Sequence, residues 1–341
     1  MTKKAVILFN LGGPDKLESV EPFLFNLFND PAIISIPTIF RYPLAKFISK
    51  RRAPIAKNIY KEIGNKSPIL ELTQEQAQKL EKNLLEKGDY RCFVVMRCWH
   101  PRAVDVIKKV KEYNPEEIIL LPLYPQFSAS TSGSSIAEWK NLCKKENYKI
   151  KTKIVCCYPT EKNFIESHVN LIKETIKNLE NNNFKLLFSA HGLPENKIKK
   201  GDPYQWQVEQ TVDRIMSKLK DKNLDYIISY QSRVGPLKWI GPSTDEMIIK
   251  YSKENRGIVI VPVAFVSEHS ETLVELDIEY KKLSEKNGCT FYKRVPALGA
   301  EENFIKGLAE LVLQKETKNE FVSSVRCPDK YKKCPCLPIK S

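Results

Sequence analysis

Short, almost continuous apolar runs alternate along the chain with longer segments that have helical spacing. Eight of these runs are rich in branched and aromatic residues, four in each half: 5–10, 92–96, 118–123, 153–157, 185–190, 226–231, 257–263 and 289–295. Apolar strands that alternate with helices are typical of parallel sheets covered on both faces. The pattern therefore predicts an α/β protein with two similar domains, each with a four-stranded parallel sheet flanked by helices.

The domain bounds follow from where these patterns change. A length of 341 residues exceeds one ordinary domain core, and a long helical pattern begins near residue 164. We predict a first domain over 1–163, a second over 164–313 and a tail over 314–341. The tail is polar and basic and contains Pro, so it has too few apolar residues for a core of its own.

The composition narrows the class of protein. The net charge of +14 is compatible with nucleic acid, a membrane surface or an acidic small molecule as partner. No Lys/Arg block is interleaved with aromatic residues, so nucleic acid is not expected. No apolar run reaches the ~18 residues of a membrane-spanning helix, and the N-terminus lacks a signal-peptide cleavage site. We expect a cytoplasmic protein.

Ligands of open α/β sheets bind beyond the carboxyl ends of the strands, so the residues that follow each apolar run are the first candidates for a site. The Gly-rich segment NLGGPD (10–15) matches neither phosphate-binding fingerprint, and no nucleotide is predicted. His191 follows the fifth run and begins the turn HGLP. A neutral imidazole accepts a proton or binds a metal near neutral pH, so His191 is a candidate base or metal ligand; the alternative is a structural His.

A row of carboxylates follows the seventh apolar run. Its members are spaced by three, four and four residues and are neighbours on one helix face: Glu268, Glu271, Glu275 and Glu279. Like charges at such spacing cost about 0.2–0.5 kcal/mol per pair, which favours proton removal or metal delivery over a solvated acidic face. These residues predict an enzyme with a His–carboxylate site, without naming the substrate.

Seven segments, in order along the chain, resemble ferrochelatase: FNLGGPD, IGNKSPI, LYPQFSASTSGSS, LFSAHGLP, GDPYQWQVEQT, SRVGPLKWIGPSTDE and PVAFVSEHSETLVELDIEY. The resemblance implies two Rossmann-like domains with a porphyrin-binding cleft between them. It implies a lyase-class enzyme that inserts Fe²⁺ into protoporphyrin IX, releases two protons and completes haem biosynthesis. No nucleotide is used by this family.

The resemblance also implies roles for individual residues. His191 and Glu271 correspond to the catalytic pair and to ligands of the incoming Fe²⁺. A proton or metal relay is implied for Glu268, His269, Glu275 and Glu279. The porphyrin pocket is implied to be lined by Met96, Arg97, Tyr124 and Trp239. The apolar stretch 20–44 corresponds to a lip of that pocket, which some members rest on a membrane; the alternative is a buried helix. A peripheral contact with the inner membrane is therefore also expected.

The chain has nine cysteines and no export signal, so a disulfide framework is not expected. The last three crowd into the tail: Cys327, Cys334 and Cys336. Resemblance to the proteobacterial type of ferrochelatase implies a [2Fe–2S] cluster there, which usually takes four ligands. The position of the animal enzymes' upstream ligand is Ala129 here, so the fourth ligand is expected to be Cys156 or Cys157. The alternatives are a Zn²⁺ site and thiols that bind no metal.

Two other functions are compatible with parts of this pattern. A chelatase that inserts cobalt or nickel shares the fold, but such enzymes are often shorter and richer in His than this chain, which has four. A non-catalytic haem or porphyrin carrier needs an axial ligand but no row of carboxylates. Monomer and homodimer are both compatible with the sequence.

Overall fold

The computed structural model describes residues 2–179, 183–221, 223–233, 235, 237–314 and 320–336. The chain divides into two compact units. The first unit contains Met1–Cys157 and Leu308–Ser323, and the second contains Tyr158–Gly307 and Ser324–Ser341.

Within the described residues, the first unit is built on a five-stranded parallel sheet in the order β2-β1-β3-β4-β9. Its strands are β1 (Lys3–Asn10), β2 (Asp89–Met96), β3 (Glu117–Pro122), β4 (Lys151–Cys157) and β9 (Phe321–Ser323). Its helices are α1 (Val20–Phe28), α2 (Thr38–Lys61), α3 (Ile69–Leu85), α4 (Ala103–Tyr113) and α5 (Ser132–Lys145). The central strands β1 and β3 are almost wholly buried, as expected for strands covered on both faces.

The second unit has, in the part of the chain that is described, a four-stranded parallel sheet in the order β6-β5-β7-β8. Its strands are β5 (Phe184–His191), β6 (Tyr226–Gln231), β7 (Gly257–Pro262) and β8 (Tyr292–Arg294). Its α-helices are α6 (Lys162–Ile176), α7 (Glu195–Lys199), α8 (Tyr204–Leu219), α9 (Thr244–Lys253) and α10 (Tyr280–Lys286). A π-helix over Glu271–Glu279 runs directly into α10. Helix α11 (Glu302–Leu313) crosses the division between the units at Gly307.

The predicted α/β fold with two parallel sheets is confirmed, and each of the eight predicted strands is present. The first sheet has a fifth strand that the sequence did not predict. Strand β9 belongs to the predicted tail and pairs with β4, with Ile154 opposite Phe321 and Val155 opposite Val322. Three residues are too few to show an apolar period in a polar segment. Of the predicted tail, residues 315–319 and 337–341 lie outside the described residues.

Two features of the fold concern the expected relation of the protein to a membrane. Among the described residues, no helix is both long and apolar enough to cross a membrane. In the predicted lip, 20–44, helix α1 buries Val20 and Phe23, whereas α2 exposes large apolar side chains along much of its length. The lip is therefore buried in part and exposed in part.

Candidate active site

Three neighbouring elements of the second unit bring the predicted catalytic residues together. Strands β5 and β6 pair in register up to their last residues, His191 and Gln231. Strand β7 pairs with β5 on its other side and leads into the π-helix that begins at Glu271. Because the carboxyl ends of parallel strands meet at one edge of the sheet, residues distant in sequence become neighbours there.

His191 and Glu271 form the central contact of this edge. The Nδ1 atom of His191 lies 2.8 Å from Oε2 of Glu271. The His191 side chain is 39% exposed, so part of the imidazole is open to solvent although Nδ1 is occupied by Glu271. A carboxylate that orients one nitrogen of a His while the other faces a substrate is the usual arrangement of a general base.

The two partners shift each other's proton affinity. Burial lowers the pKa of His191, but the negative charges of Glu271 and Glu275 outweigh it, and the pKa lies above its usual value. Burial raises the pKa of Glu271, but the opposite effect of the His191 imidazole is larger, and the pKa falls to about 2. Both shifts favour the imidazolium–carboxylate form, so this site stabilises a proton that arrives on His191.

The predicted acidic row lies on the π-helix and just before it. Glu271, Glu275 and Glu279 fall within Glu271–Glu279, where residues four apart remain on one side of the helix. The sequence predicted a helix here but not its type, because the spacing of the carboxylates is compatible with an α-helix and with a π-helix. A π-helix is rare and occurs frequently at functional sites.

Glu275 is held by four hydrogen bonds. Its Oε1 accepts from the backbone N–H of Ser232 at 3.0 Å and from the Tyr280 hydroxyl at 2.9 Å. Its Oε2 accepts from the Ser232 hydroxyl at 2.6 Å and from Nε2 of Gln231 at 3.0 Å. Burial and the charge of Glu271 nevertheless raise the pKa of Glu275.

Sequence reasoning missed these three donors, Gln231, Ser232 and Tyr280. The usable signal was position, because Gln231 and Ser232 stand where β6 ends, at the edge where ligands of such sheets bind. Gln231 is itself oriented, since its Oε1 accepts from the Ser189 hydroxyl at 2.7 Å.

The other three predicted relay residues have different surroundings. Glu268 pairs with Arg294, Nη1 to Oε1 at 2.8 Å, and although burial opposes the shift, this partner lowers its pKa. His269 is buried, which lowers its pKa, and its Nδ1 lies 3.1 Å from the Ser267 carbonyl oxygen. Glu279 is exposed at the end of the π-helix.

The predicted pocket residues fall in both units. In the second unit, Trp239 lies so close to Gly192 that a Cβ at Gly192 would stand 3.2 Å from its ring. In the first unit, the Met96 side chain is fully buried, and Arg97 pairs with Asp30 at 2.9 Å.

Arg97 also contacts Glu138 at 3.1 Å, and Tyr124 is partly buried. Trp239 is therefore the predicted wall residue that stands next to the His191 turn within one unit.

The cysteines of the described tail gather in the second unit. Cys327 and Cys334 are buried in one cluster with Tyr331, and Cys336 packs against it. The sulfur atoms of Cys334 and Cys336 lie within 4.8 Å of each other. The tail thus carries a cysteine cluster that could bind a metal.

Cys156 and Cys157 end strand β4 in the first unit, and both are buried. The Cys157 sulfur lies 3.1 Å from the Ser323 hydroxyl oxygen of β9. Successive side chains of a strand point to opposite faces, so Cys156 faces away from this contact.

Comparison with known proteins decides the family. The family model described as Ferrochelatase matches residues 3–316. A ferrochelatase of Pelagibacter ubique (strain HTCC1062) is 64% identical, over 98% of this chain and 99% of that protein. One of Rickettsia bellii (strain OSU 85-389) is 50% identical, over 98% of this chain and 95% of that protein. This chain belongs to the ferrochelatase family.

Membership of the ferrochelatase family confirms the predicted activity. The chain is a lyase-class enzyme that inserts ferrous iron into protoporphyrin in haem biosynthesis. Porphyrin and ferrous iron are its substrates.

Solved structures of low sequence identity confirm the fold of this chain. SirB from Bacillus subtilis with Fe³⁺ has a TM-score of 0.53 at 10% identity and covers 91% of this chain and 94% of its own. The sirohydrochlorin chelatase SirB from the subspecies spizizenii, in complex with cobalt, has a TM-score of 0.50 at 11% identity. At such identities the likeness concerns the fold alone.

Proposed function

We propose that His191 is the base that removes the pyrrole protons and that Glu271 stabilises the imidazolium formed. The observation that carries this assignment is the 2.8 Å contact between Nδ1 of His191 and Oε2 of Glu271. A free porphyrin has two pyrrole N–H groups, whose protons must leave before four nitrogens bind iron. His191 accepts a proton at Nε2 while Glu271 holds the ring through Nδ1.

The same two residues are proposed as ligands of the entering Fe²⁺. Imidazole nitrogen and carboxylate oxygen are both suitable ligands for ferrous iron. His191 therefore meets both substrates at one place, and a proton that leaves the porphyrin can be exchanged there for the metal.

The acidic row is proposed to move protons away from this pair or to deliver iron to it. Glu275 follows Glu271 on the π-helix, and Glu279, which is exposed, is the last carboxylate of the row. Since burial and Glu271 raise the pKa of Glu275, this carboxyl can hold a proton at a higher pH than an exposed Glu.

His269 and Glu268 are proposed to support this relay by holding the start of the π-helix. The His269 carbonyl accepts the backbone N–H of Leu273 at 2.9 Å, and Oε1 of Glu268 accepts the backbone N–H of Ala297 at 2.9 Å. The paired charge of Arg294 makes Glu268 a poor proton acceptor, so its proposed role is to orient the row.

For the porphyrin we propose contact with Trp239, Arg97 and Tyr124, whereas the fully buried Met96 is proposed to support the pocket wall from behind. Trp239 has the most direct support, because its ring lies on Gly192, the residue that follows His191. A flat aromatic side chain next to the base suits a flat macrocycle.

The tail cysteines are proposed to hold a [2Fe–2S] cluster with Cys156 as the fourth ligand. Three thiols gather in the tail, and the side-chain amide of Gln207 lies 3.2 Å from the Cys327 sulfur, so the donor set and its surroundings fit a cluster held by thiolates. Cys156 is preferred to Cys157 because the latter contacts Ser323. When bound, such a cluster supplies one-electron redox chemistry and cross-links its protein ligands.

Helix α2 is proposed to rest on the surface of the inner membrane. Its exposed apolar side chains include Ile39 at 76%, Phe40 at 64% and Phe47 at 62% exposure. Exposed Lys46, Lys50 and Arg51 lie among them on the same helix. Apolar contact combined with attraction to anionic lipids is the usual basis of interfacial binding.

Turnover distinguishes the proposed enzyme site from a carrier site. The purified protein would be incubated without oxygen in a large excess of protoporphyrin IX and Fe²⁺, and haem formation followed by absorbance. We expect many haem molecules per protein molecule. Binding of porphyrin without metal insertion, or a single haem per chain, would reject the assignment of a catalytic base here.

A further inference from the structure

Ser232 contacts both carboxylates at the start of the acidic row. Its hydroxyl oxygen lies 2.6 Å from Oε2 of Glu275 and 3.2 Å from Oε2 of Glu271. Its backbone N–H donates to the second oxygen of Glu275 at 3.0 Å. Oε2 of Glu271 is the same oxygen that meets His191, so two groups contact this one atom.

The backbone of Ser232 is in an unusual conformation for a residue with a side chain. Its φ of 60° lies in the left-handed region, which glycine adopts without strain. A glycine would make this turn and keep the backbone donor to Glu275, but it would lack the hydroxyl. Ser232 is strained in this conformation, whereas a glycine would adopt it without strain. A strained residue at such a position points to a function of its side chain.

We propose that Ser232 is a positioning residue of the reaction, whose hydroxyl ties Glu271 to Glu275 and fixes the Glu271 carboxylate towards His191. This inference rests on the proposed function of His191 and Glu271. A hydroxyl has a single proton, so Ser232 donates to one of the two carboxylates at any moment and stays within hydrogen-bond reach of the other, between two negative groups that otherwise repel each other. Without it, the Glu271 carboxylate can turn away from the imidazole.

The expected defect is in turnover rather than in porphyrin binding. Ser232 contacts the carboxylates through its hydroxyl and is not among the proposed wall residues. Loss of a group that orients a reacting residue typically costs about 10- to 100-fold in activity. We therefore expect kcat to fall by about that factor, with little change in the KM for porphyrin.

The test uses the full-length protein and the variant Ser232→Gly. This change removes the hydroxyl, keeps the backbone N–H and relieves the strain, and the thermal midpoint measured beside kcat shows that the variant is folded. The matched control is Asn255→Gly, because Asn255 is another residue of the second unit with positive φ, 54°, and lies at the end of α9. Ser232→Ala is the second variant, in which strain remains and the hydroxyl is absent.

Three results together would support the inference. In both Ser232 variants kcat would fall tenfold or more while the porphyrin KM stays within threefold of the wild-type value, and Asn255→Gly would leave both constants unchanged. Ser232→Gly with kcat within twofold of wild type would overturn it, even if Ser232→Ala is defective, since loss of the hydroxyl alone would then leave the reaction intact. If the wild type itself inserts no iron, the proposed function fails first, so the two failures are distinguishable.

Discussion

His191 and Glu271 are 80 positions apart in the chain, yet their side chains meet at 2.8 Å. The contact follows from topology, because β5 ends at His191 and its neighbour β7 leads into the helix that starts at Glu271. The proposed base and its proposed orienting carboxylate are thereby attached to adjacent strands of one sheet.

The first prediction concerns the pH dependence of iron insertion. His191 must be neutral to accept a proton, so kcat/KM should rise as the pH rises through its pKa, which Glu271 and Glu275 hold above the usual value despite burial. Glu271→Gln removes the main raising charge, so the acidic limb of the profile should move to lower pH. The maximum rate should fall about 10- to 100-fold, because the imidazolium loses its partner.

The control for this pH profile is Glu285→Gln, an exposed position on α10. Its acidic limb should coincide with that of the wild type. An acidic limb in Glu271→Gln that does not move would show that another group limits the rate.

A second prediction separates Glu268 from the rest of the acidic row. Glu268→Gln leaves the buried guanidinium of Arg294 with one charged partner fewer, so the free energy of unfolding in urea at pH 7 should fall by about 1–3 kcal/mol. Glu279→Gln, which alters an exposed carboxylate of the same row, should change it by less than about 0.5 kcal/mol.

The pH dependence of this stability loss has a fixed sign. Arg294 lowers the pKa of Glu268 although burial opposes the shift, so the stabilisation is present above the usual Glu pKa and is lost as the pH falls through the folded-state value. The difference between wild type and Glu268→Gln should therefore be full at pH 7 and shrink on acidification below about pH 4.3. Equal stability of the two proteins at pH 7 would refute the proposed structural role.

The third prediction concerns the cysteine cluster. Protein purified without oxygen should show the visible absorption of a [2Fe–2S] cluster and contain about two iron atoms per chain. Cys156→Ala should abolish both signals, because one ligand is lost. Cys157→Ala is the matched control and should keep them, since the Cys157 thiol contacts Ser323. Zinc in place of iron, or retained absorption in Cys156→Ala, would contradict the proposed ligand set.

A fourth prediction tests the membrane surface of α2. Wild-type protein should sediment with vesicles that contain anionic lipid, and salt should weaken this binding. The double change Phe40→Ser with Phe47→Ser should weaken it at least tenfold, because it removes two exposed apolar side chains. Leu85→Ser, at a side chain of α3 that is 59% exposed, is the control. Equal binding by all three proteins would reject α2 as the contact.

Sequence patterns pointed to His191 and to the acidic row but not to all of their contacts. His191 was predicted because it ends a strand, and the acidic row because its spacing is visible along one helix. Gln231 and Ser232 bind Glu275 from the end of β6, and Arg294 reaches Glu268 from β8. Such partners depend on which strands become neighbours, and local periodicity does not contain that information.

The π-helix and strand β9 were missed for a related reason. The residues of Glu271–Glu279 have no composition that separates a π-helix from an α-helix. Strand β9 has three residues and exists because β4 offers it a free edge. The pairing of β9 depends on a strand far away in the sequence.

The most direct test compares iron insertion by His191→Ala with that by the wild type in the absence of oxygen. Protoporphyrin binding is measured by fluorescence in the same samples. We predict that His191→Ala binds protoporphyrin within about threefold of wild-type affinity but forms haem at least about 100-fold more slowly, the range that a general base contributes. Haem formation by His191→Ala at a rate near that of the wild type would contradict the central claim that His191 is the base.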